Sequence, residues 1–237
     1  MSKPFQFKEF TIHQDRCAMK IGTDGVLLGA WSPIGHQPFS ILDIGAGTGV
    51  ISLMLAQRSR AEVIDAIEID DAAYEQCTEN FENSIWNDRL FCYHASLEEF
   101  AEEIDEQYDL IVSNPPFYSE DYKSEDTQRD LARFNEAMPF DHLIYSVSKL
   151  LSDHGVFAVI IPFKEQDHFI EMAKHHRLFP KQIVTIKGQP KAETKRSLIG
   201  FSFEETTTEV TSLVIETARH QYTKEYTDLT KDFYLKM

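Results

Sequence analysis

The chain has 237 residues, 42% of them apolar, and a formal net charge of −16 at pH 7. That length supports one sizeable core, and apolar periodicity in every region excludes a disordered chain. No run of about 18 apolar residues occurs, so no transmembrane helix is expected, and acidity on this scale argues against a polyanionic partner unless bases are concentrated somewhere.

The start, MSKPFQFKEF, lacks the charged-then-apolar pattern of a secretory leader. Cys17, Cys77 and Cys92 are far apart and fit no metal-ligand spacing. The expectation is a cytoplasmic protein with reduced thiols, no bound metal, no membrane association and no stable protein partner evident.

Residues 5–12, FQFKEFTI, alternate as a strand does, and 24–31, DGVLLGAW, read as a short helix with Asp24 near its start. From there strands and helices alternate. Strands are expected at 40–45, 62–69, 89–94, 108–113 and 155–162. Helices are expected at 49–59, 71–84, 97–104, 138–151 and 164–176, with Asp71 as a candidate cap for the second. Residues 114–138 form a long irregular segment, a length usually kept for function. Three further strands follow at 182–187, 197–204 and 209–216 with no helix between them. This order predicts an α/β fold: a doubly wound, mostly parallel sheet with an antiparallel edge. One domain is expected over 1–237, with 1–38 as an N-terminal extension and 39–237 as the core.

Charge is unevenly spread. Residues 98–109, EEFAEEIDEQYD, hold seven acids and no base. Residues 174–196, KHHRLFPKQIVTIKGQPKAETKR, hold seven bases and one acid. A charge run is most often a solvated face, so the basic segment needs a place in space before it has a meaning.

The first core strand runs into Asp43-Ile44-Gly45-Ala46-Gly47-Thr48-Gly49 and then a helix. Such a turn lets a ligand lie against bare backbone at the carboxyl edge of the sheet. Glu68 ends the next strand, where a doubly wound fold places a carboxylate for ribose hydroxyls. Val50 breaks the GxGxxG dinucleotide pattern, and no GxxxxGK[ST] is present. The observed D-x-G-x-G-x-G resembles the S-adenosylmethionine loop of Rossmann-like methyltransferases. The resemblance implies that Gly45 and Gly47 make room for the methionine part and that Asp43 helps to hold it. It also implies an adenine-binding acid after the third strand, where this chain has Ser96 instead.

The strand YDLIVS ends in Ser113-Asn114-Pro115-Pro116-Phe117. Two prolines stop a strand, because each lacks an N–H. The stretch resembles the [DNS]PP[YFW] motif of amino-methyltransferases. A conjugated amine is a poor nucleophile, since its lone pair is delocalised. The Asn114 side-chain oxygen and the Pro115 carbonyl can each accept one of its N–H groups, aiming the lone pair and stabilising the charge that develops. Phe117 offers a face for a flat base. Tyr118 and Tyr122 are candidates to line the same pocket.

Four substrate classes share this motif: adenine N6 in DNA, guanine N2 in rRNA, glutamine amide in release factors and adenine N6 in tRNA. Residues 7–31, with RCAMK (16–20) and GTDGVLLG (22–29), resemble the start of the bacterial tRNA1(Val) (adenine-37 N6)-methyltransferase family, as do YTKEYTDLTKDFYLKM (222–237) and the pair Lys195-Arg196. The resemblance implies S-adenosylmethionine as cofactor and tRNA as substrate, with Lys20, Thr23 and Asp24 over the cofactor. It places Lys187, Lys191, Lys195 and Arg196 at the active-site side, as phosphate contacts. The alternatives are N-methylation of rRNA guanine or protein glutamine, or a binding protein that keeps the fold without transfer.

Overall fold

The computed structural model describes residues 3–116 and 138–237. The chain opens with two short antiparallel strands, β1 (Phe5–Gln6) and β2 (Thr11–Ile12), in place of the single strand expected over 5–12. The Phe7 amide bonds the Phe10 carbonyl, turning the chain back so that Phe7, Phe10 and Ile12 are all buried.

Helix α1 (Thr23–Trp31) packs on α2 (Val50–Arg58) through two glycines one turn apart. A Cβ at Gly25 would sit 3.4 Å from Val50 Cγ1, and one at Gly29 would sit 2.8 Å from Met54 Sδ. Gly25 meets the start of α2 and Gly29 its middle. The first turn of α1, with Thr23 and Asp24, therefore stands beside the loop that enters α2. Arg58 closes the other end by donating to the Gly29 and Ser32 carbonyls, 2.7 and 3.1 Å away.

The core strands and helices follow in the expected alternation: β3 (Ser40–Ile44), α2, β4 (Val63–Glu68), α3 (Asp71–Glu82), β5 (Leu90–His94), α4 (Leu97–Glu103) and β6 (Tyr108–Ser113). The cap of α3 is Asp70 rather than Asp71: its carboxylate accepts from the Ala73 amide at 2.8 Å. Of two adjacent aspartates, the one in extended geometry can reach the third amide of the helix. After the undescribed segment come α5 (Phe140–Leu150), β7 (Leu151–Pro162), a 3-10 turn (Phe163–Glu165), α6 (Gln166–His175), β8 (Phe179–Lys187), β9 (Thr194–Ser202) and β10 (Glu209–Val214). Strand β7 starts four residues earlier than its apolar run, at Leu151. A minor hairpin, β11 (Glu216–Ala218) and β12 (Gln221–Tyr222), leads to α7 (Lys224–Thr230).

Eight strands form the main sheet in the order β10-β8-β9-β7-β6-β3-β4-β5. All run in one sense except β9, which is antiparallel to both β7 and β8. Alternate residues of each strand serve opposite faces. Leu110, Val112, Ala158 and Ile160 pack with α1, α2 and α3, whereas Ile111, Phe157, Val159 and Ile161 pack with α5 and α6. Phe157, Phe169 and Phe201 cluster in the second layer with ring centroids 5.7–6.4 Å apart. Each such fully buried ring contributes roughly 1.5–3 kcal/mol.

The carboxyl ends of β4, β3, β6, β7 and β8 share an edge with the start of the antiparallel β9. Along that edge, in spatial order, stand Glu68, the glycine loop, Asn114-Pro115, Phe163-Lys164, Lys195-Arg196 and Lys187.

Candidate active site

The glycine loop is stitched to β4: the Gly45 and Ala46 amides bond the Ile67 carbonyl at 3.0 and 3.1 Å. Gly45, Gly47 and Gly49 all have positive φ (74°, 56° and 76°), but their surroundings differ. A Cβ at Gly45 or Gly47 would meet nothing within 4 Å. A Cβ at Gly49 would strike Phe81 Cε1 at 2.5 Å and Cys77 Sγ at 2.9 Å. The first two glycines thus keep a cradle open, and the third lets α3 close on the loop.

Asp43 lies beneath this cradle and is fully buried. One carboxylate oxygen accepts from the Ser52 hydroxyl (2.7 Å) and amide (3.2 Å). The other, Oδ1, is buried and has no hydrogen-bond partner. Burial pushes the Asp43 carboxyl up to about 7, against the two Ser52 bonds that favour its charged form. A buried acceptor without a partner beside an open backbone cradle fits a ligand that brings a donor or a positive group.

Glu68 holds the neighbouring wall. It accepts from the Gly47 amide at 2.7 Å and from the Ile69 and Asp70 amides at 2.9 and 3.0 Å. Three of about four lone-pair directions are used, so one remains for a hydroxyl. Ser96 caps α4 in a capping box: its Oγ accepts from the Glu99 amide and donates to the Glu99 carboxylate at 2.9 Å. Its hydroxyl keeps one lone pair for an incoming amine.

Strand β6 delivers Asn114 and Pro115 next to the loop. The Ser113 hydroxyl donates to the Ile44 carbonyl at 3.0 Å and locks the ends of β6 and β3 together. Pro115 is buried, and Asn114 and Pro116 are half-buried. The Asn114 side chain has no hydrogen-bond partner among the described residues. Phe117, Tyr118 and Tyr122 lie outside the described residues.

The N-terminal extension is held over the loop by a residue that carries no motif. Asn80 of α3 donates to the carbonyls of His13 and Thr48, both at 2.9 Å, and accepts from the His13 amide at 2.9 Å. Gln76 accepts from the Arg16 amide at 3.4 Å. Gln14 folds the extension on itself, accepting from Lys20 Nζ at its carbonyl (2.6 Å) and from the Ile21 amide at its side chain (3.0 Å). Cys17 is buried, and its thiol is pushed up to about 11 by that burial, then by the charges of Glu68 and Asp70. Lys20 thereby lies on the segment that Asn80 ties to Thr48 of the glycine loop, and Thr23 and Asp24 follow it in the first turn of α1. Helical spacing on α3 marks Asn80 and Gln76 as inward-facing, the one sequence signal that points to them.

The basic segment also has its place. Strand β8 runs in the sense of β3, so Lys187 and the turn holding Lys191 stand at the carboxyl edge. Lys191 and Lys195 are exposed, and Lys187 is half-buried. Arg196 pairs with Asp24 at 2.8 Å. The acidic run falls on α4 and on the loop leading to the amino end of β6, away from these cations.

Fold and site together define a Rossmann-like methyltransferase. The family model for the methyltransferase small domain matches residues 31–138. The chain is 63% identical over 234 residues to a protein of Flavobacterium johnsoniae (98% of this chain, 100% of that one), and 45% identical over 239 residues to one of Bacteroides fragilis (all of both). One of Trichodesmium erythraeum is 45% identical over 98% of both. All three bear the name tRNA1(Val) (adenine(37)-N6)-methyltransferase. The chain belongs to the tRNA1(Val) (adenine(37)-N6)-methyltransferase family. Solved structures with the same fold include a predicted O-methyltransferase of Agrobacterium tumefaciens (TM-score 0.68, 20% identity, 89% of this chain and 96% of that one). The ribosomal protein L11 methylase of Lactobacillus delbrueckii subsp. bulgaricus also shares it (TM-score 0.53, 16% identity, 76% and 77%).

Among the described residues, no helix is long and apolar enough to cross a membrane, and no group of three or more His, Cys, Asp or Glu is placed to hold a metal ion.

Proposed function

We propose that the protein transfers a methyl group from S-adenosylmethionine to the exocyclic N6 of adenine 37 in tRNA1(Val), in the cytoplasm, as one catalytic domain with residues 1–38 folded over the cofactor. The observation that carries this is Asn114: a half-buried amide without a partner among the described residues, set beside an open glycine cradle.

S-adenosylmethionine, when bound, supplies an electrophilic methyl group on a sulfonium. Asp43, with its Oδ1 unpartnered, and the bare backbone at Gly45 and Gly47 would hold its methionine part. Glu68 would take a ribose hydroxyl, Ser96 the adenine amine, and Lys20, Thr23 and Asp24 would cover the top. On the acceptor side, the Asn114 oxygen and the Pro115 carbonyl take one N–H each from the target amine. That turns its lone pair toward the methyl and stabilises the positive charge on nitrogen. The alkylated nitrogen then loses one proton to water, so no strong base is required. Phe117 would stack on the base. Lys187, Lys191, Lys195 and Arg196 would meet phosphates, which position the RNA without reading it. An adenine must leave its stack to enter this pocket.

The test uses labelled S-adenosylmethionine and total tRNA from cells lacking this gene, with wild type beside Asn114→Ala. Digestion should yield N6-methyladenosine from wild type alone, and sequencing should place it at adenine 37 of tRNA1(Val). Cofactor binding without any label in tRNA would overturn the reading and direct the same two proteins to rRNA guanine and release-factor glutamine.

A further inference from the structure

We infer that Phe163 is a stacking platform for the nucleotide next to the methylated adenine. This inference rests on the proposed tRNA adenine N6 activity.

Phe163 follows Pro162, the last residue of β7, so its ring stands at the carboxyl edge. Strand β7 lies between β6, which ends at Asn114-Pro115, and β9, which begins with Lys195-Arg196. Pro162 pairs in register with Arg196, and Arg196 pairs with Ile186 beside Lys187. Phe163 therefore stands between the acceptor pocket and the row of cations. It is 40% exposed, although the strand before it, from Phe157 to Ile161, is fully buried. Lys164 next to it is also exposed.

The platform is rigidly held. Its 3-10 turn packs against β9. The Ser197 hydroxyl donates to Gln166 Oε1 at 2.7 Å, tying the residue after the turn to β9. Pro162 limits backbone freedom on the other side. An exposed aromatic ring on a fixed turn has no part in the core. Beside a pocket that extracts one base, it meets the need of the next base, which has lost its stacking neighbour. Base-on-aromatic stacking is indifferent to sequence and is worth about tenfold or more in affinity. The flanking cations complement the phosphates on either side of that base.

The experiment compares wild type with Phe163→Leu and Phe163→Trp. Leucine keeps apolar bulk and loses the π-face, and tryptophan keeps the face. The probe is tRNA1(Val) carrying 2-aminopurine at the position flanking adenine 37, read by fluorescence alongside steady-state kinetics and S-adenosylmethionine affinity. Stacking predicts a quenched complex for wild type and Phe163→Trp and a bright one for Phe163→Leu. KM for tRNA should rise about tenfold in Phe163→Leu alone, with kcat and cofactor affinity little changed. Wild-type brightness and KM in Phe163→Leu, with wild type methylating tRNA normally, would overturn this inference only. A wild type that leaves tRNA unmethylated would overturn the parent reading and this one with it.

Discussion

Arg196 and Asp24 lie 172 residues apart in the chain and 2.8 Å apart in space. The pair joins the first turn of α1, beside the glycine loop, to the start of β9, inside the basic row. It therefore links the proposed covering of the cofactor site to the surface proposed for RNA. Both side chains are 28% exposed, so solvent screens the attraction and it contributes only about 1 kcal/mol.

Two substitutions separate the roles of that pair. Asp24→Asn and Arg196→Gln should each lower Tm by a few degrees. Only Arg196→Gln should also weaken tRNA binding, because Asp24→Asn leaves the cation in place and removes a competing carboxylate. Thermal melts with a tRNA titration on both variants check this; equal loss of tRNA affinity in the two would make the pair purely structural.

Asp43 makes stability depend on pH in an unusual sense. Its carboxyl is raised to about 7 in the fold, against an ordinary value of 3.8. The folded state therefore holds a proton that the unfolded chain has released, and stability falls as pH rises from about 4 to about 7. Asp43→Asn keeps an acceptor for Ser52 and abolishes the charge. It should raise the ligand-free Tm at pH 8 and change it little at pH 4. The same variant should weaken S-adenosylmethionine binding at pH 8, where the charged carboxylate faces a cationic ligand. Calorimetry at the two pH values decides the matter, and a lower Tm at pH 8 would contradict it.

Much of the fold and of the candidate site is legible in the sequence for a physical reason. Asp43, the glycines, Glu68 and Asn114 sit at strand ends, and strand ends follow from local apolar runs and breakers. Local periodicity also carried the alternation of strands and helices along the chain. It failed where tertiary partners decide. FQFKEFTI alternates like one strand, yet the buried pocket for Phe7 and Phe10 folds it into a hairpin. Of Asp70 and Asp71, only backbone geometry picks the cap. Arg58 and the Asp24–Arg196 pair act on carbonyls or charges far away in sequence, so no spacing announces them, and helical spacing turns Asn80 inward without naming its partners. Phe163 has no local signal either, because only the sheet order puts it between the pocket and the cations.

The glycines should separate by function. Gly47→Ala strains the backbone but meets no neighbour, so it should cost about 1–2 kcal/mol of stability while S-adenosylmethionine affinity falls at least about tenfold. Gly49→Ala adds a clash with Phe81 and Cys77 and should cost about 2–5 kcal/mol. Denaturant unfolding paired with cofactor titration distinguishes the two, and the prediction fails if Gly47→Ala proves the less stable variant.

Asn80→Ala should loosen the N-terminal extension selectively. It removes both donors and the acceptor that bind His13 and Thr48, leaving backbone groups of the extension and the loop unpaired. A loss of about 2–3 kcal/mol follows if those groups stay buried. Opening the extension avoids most of that penalty, and Arg16 and Lys20 then become available to trypsin. Limited proteolysis should cut Asn80→Ala after these residues well before wild type, with S-adenosylmethionine slowing the cut. Identical digestion of both proteins would show that Asn80 does not hold the extension down.

The cations of the carboxyl edge make a quantitative prediction. In a protein of net charge −16, attraction to RNA must be local. Each lysine that displaces a counterion from a phosphate contributes slightly less than one to the slope of log affinity against log salt. Lys191→Gln and Lys195→Gln should each lower that slope by about 0.7–0.9 and together by about twice as much, at unchanged cofactor affinity. Lys174→Gln serves as the control: its ammonium already meets Glu171 at 3.4 Å near the end of α6, remote from this edge. Its slope should stay at the wild-type value. If all three substitutions lower the slope equally, RNA is held by diffuse charge, and the carboxyl-edge row has no special part in binding it.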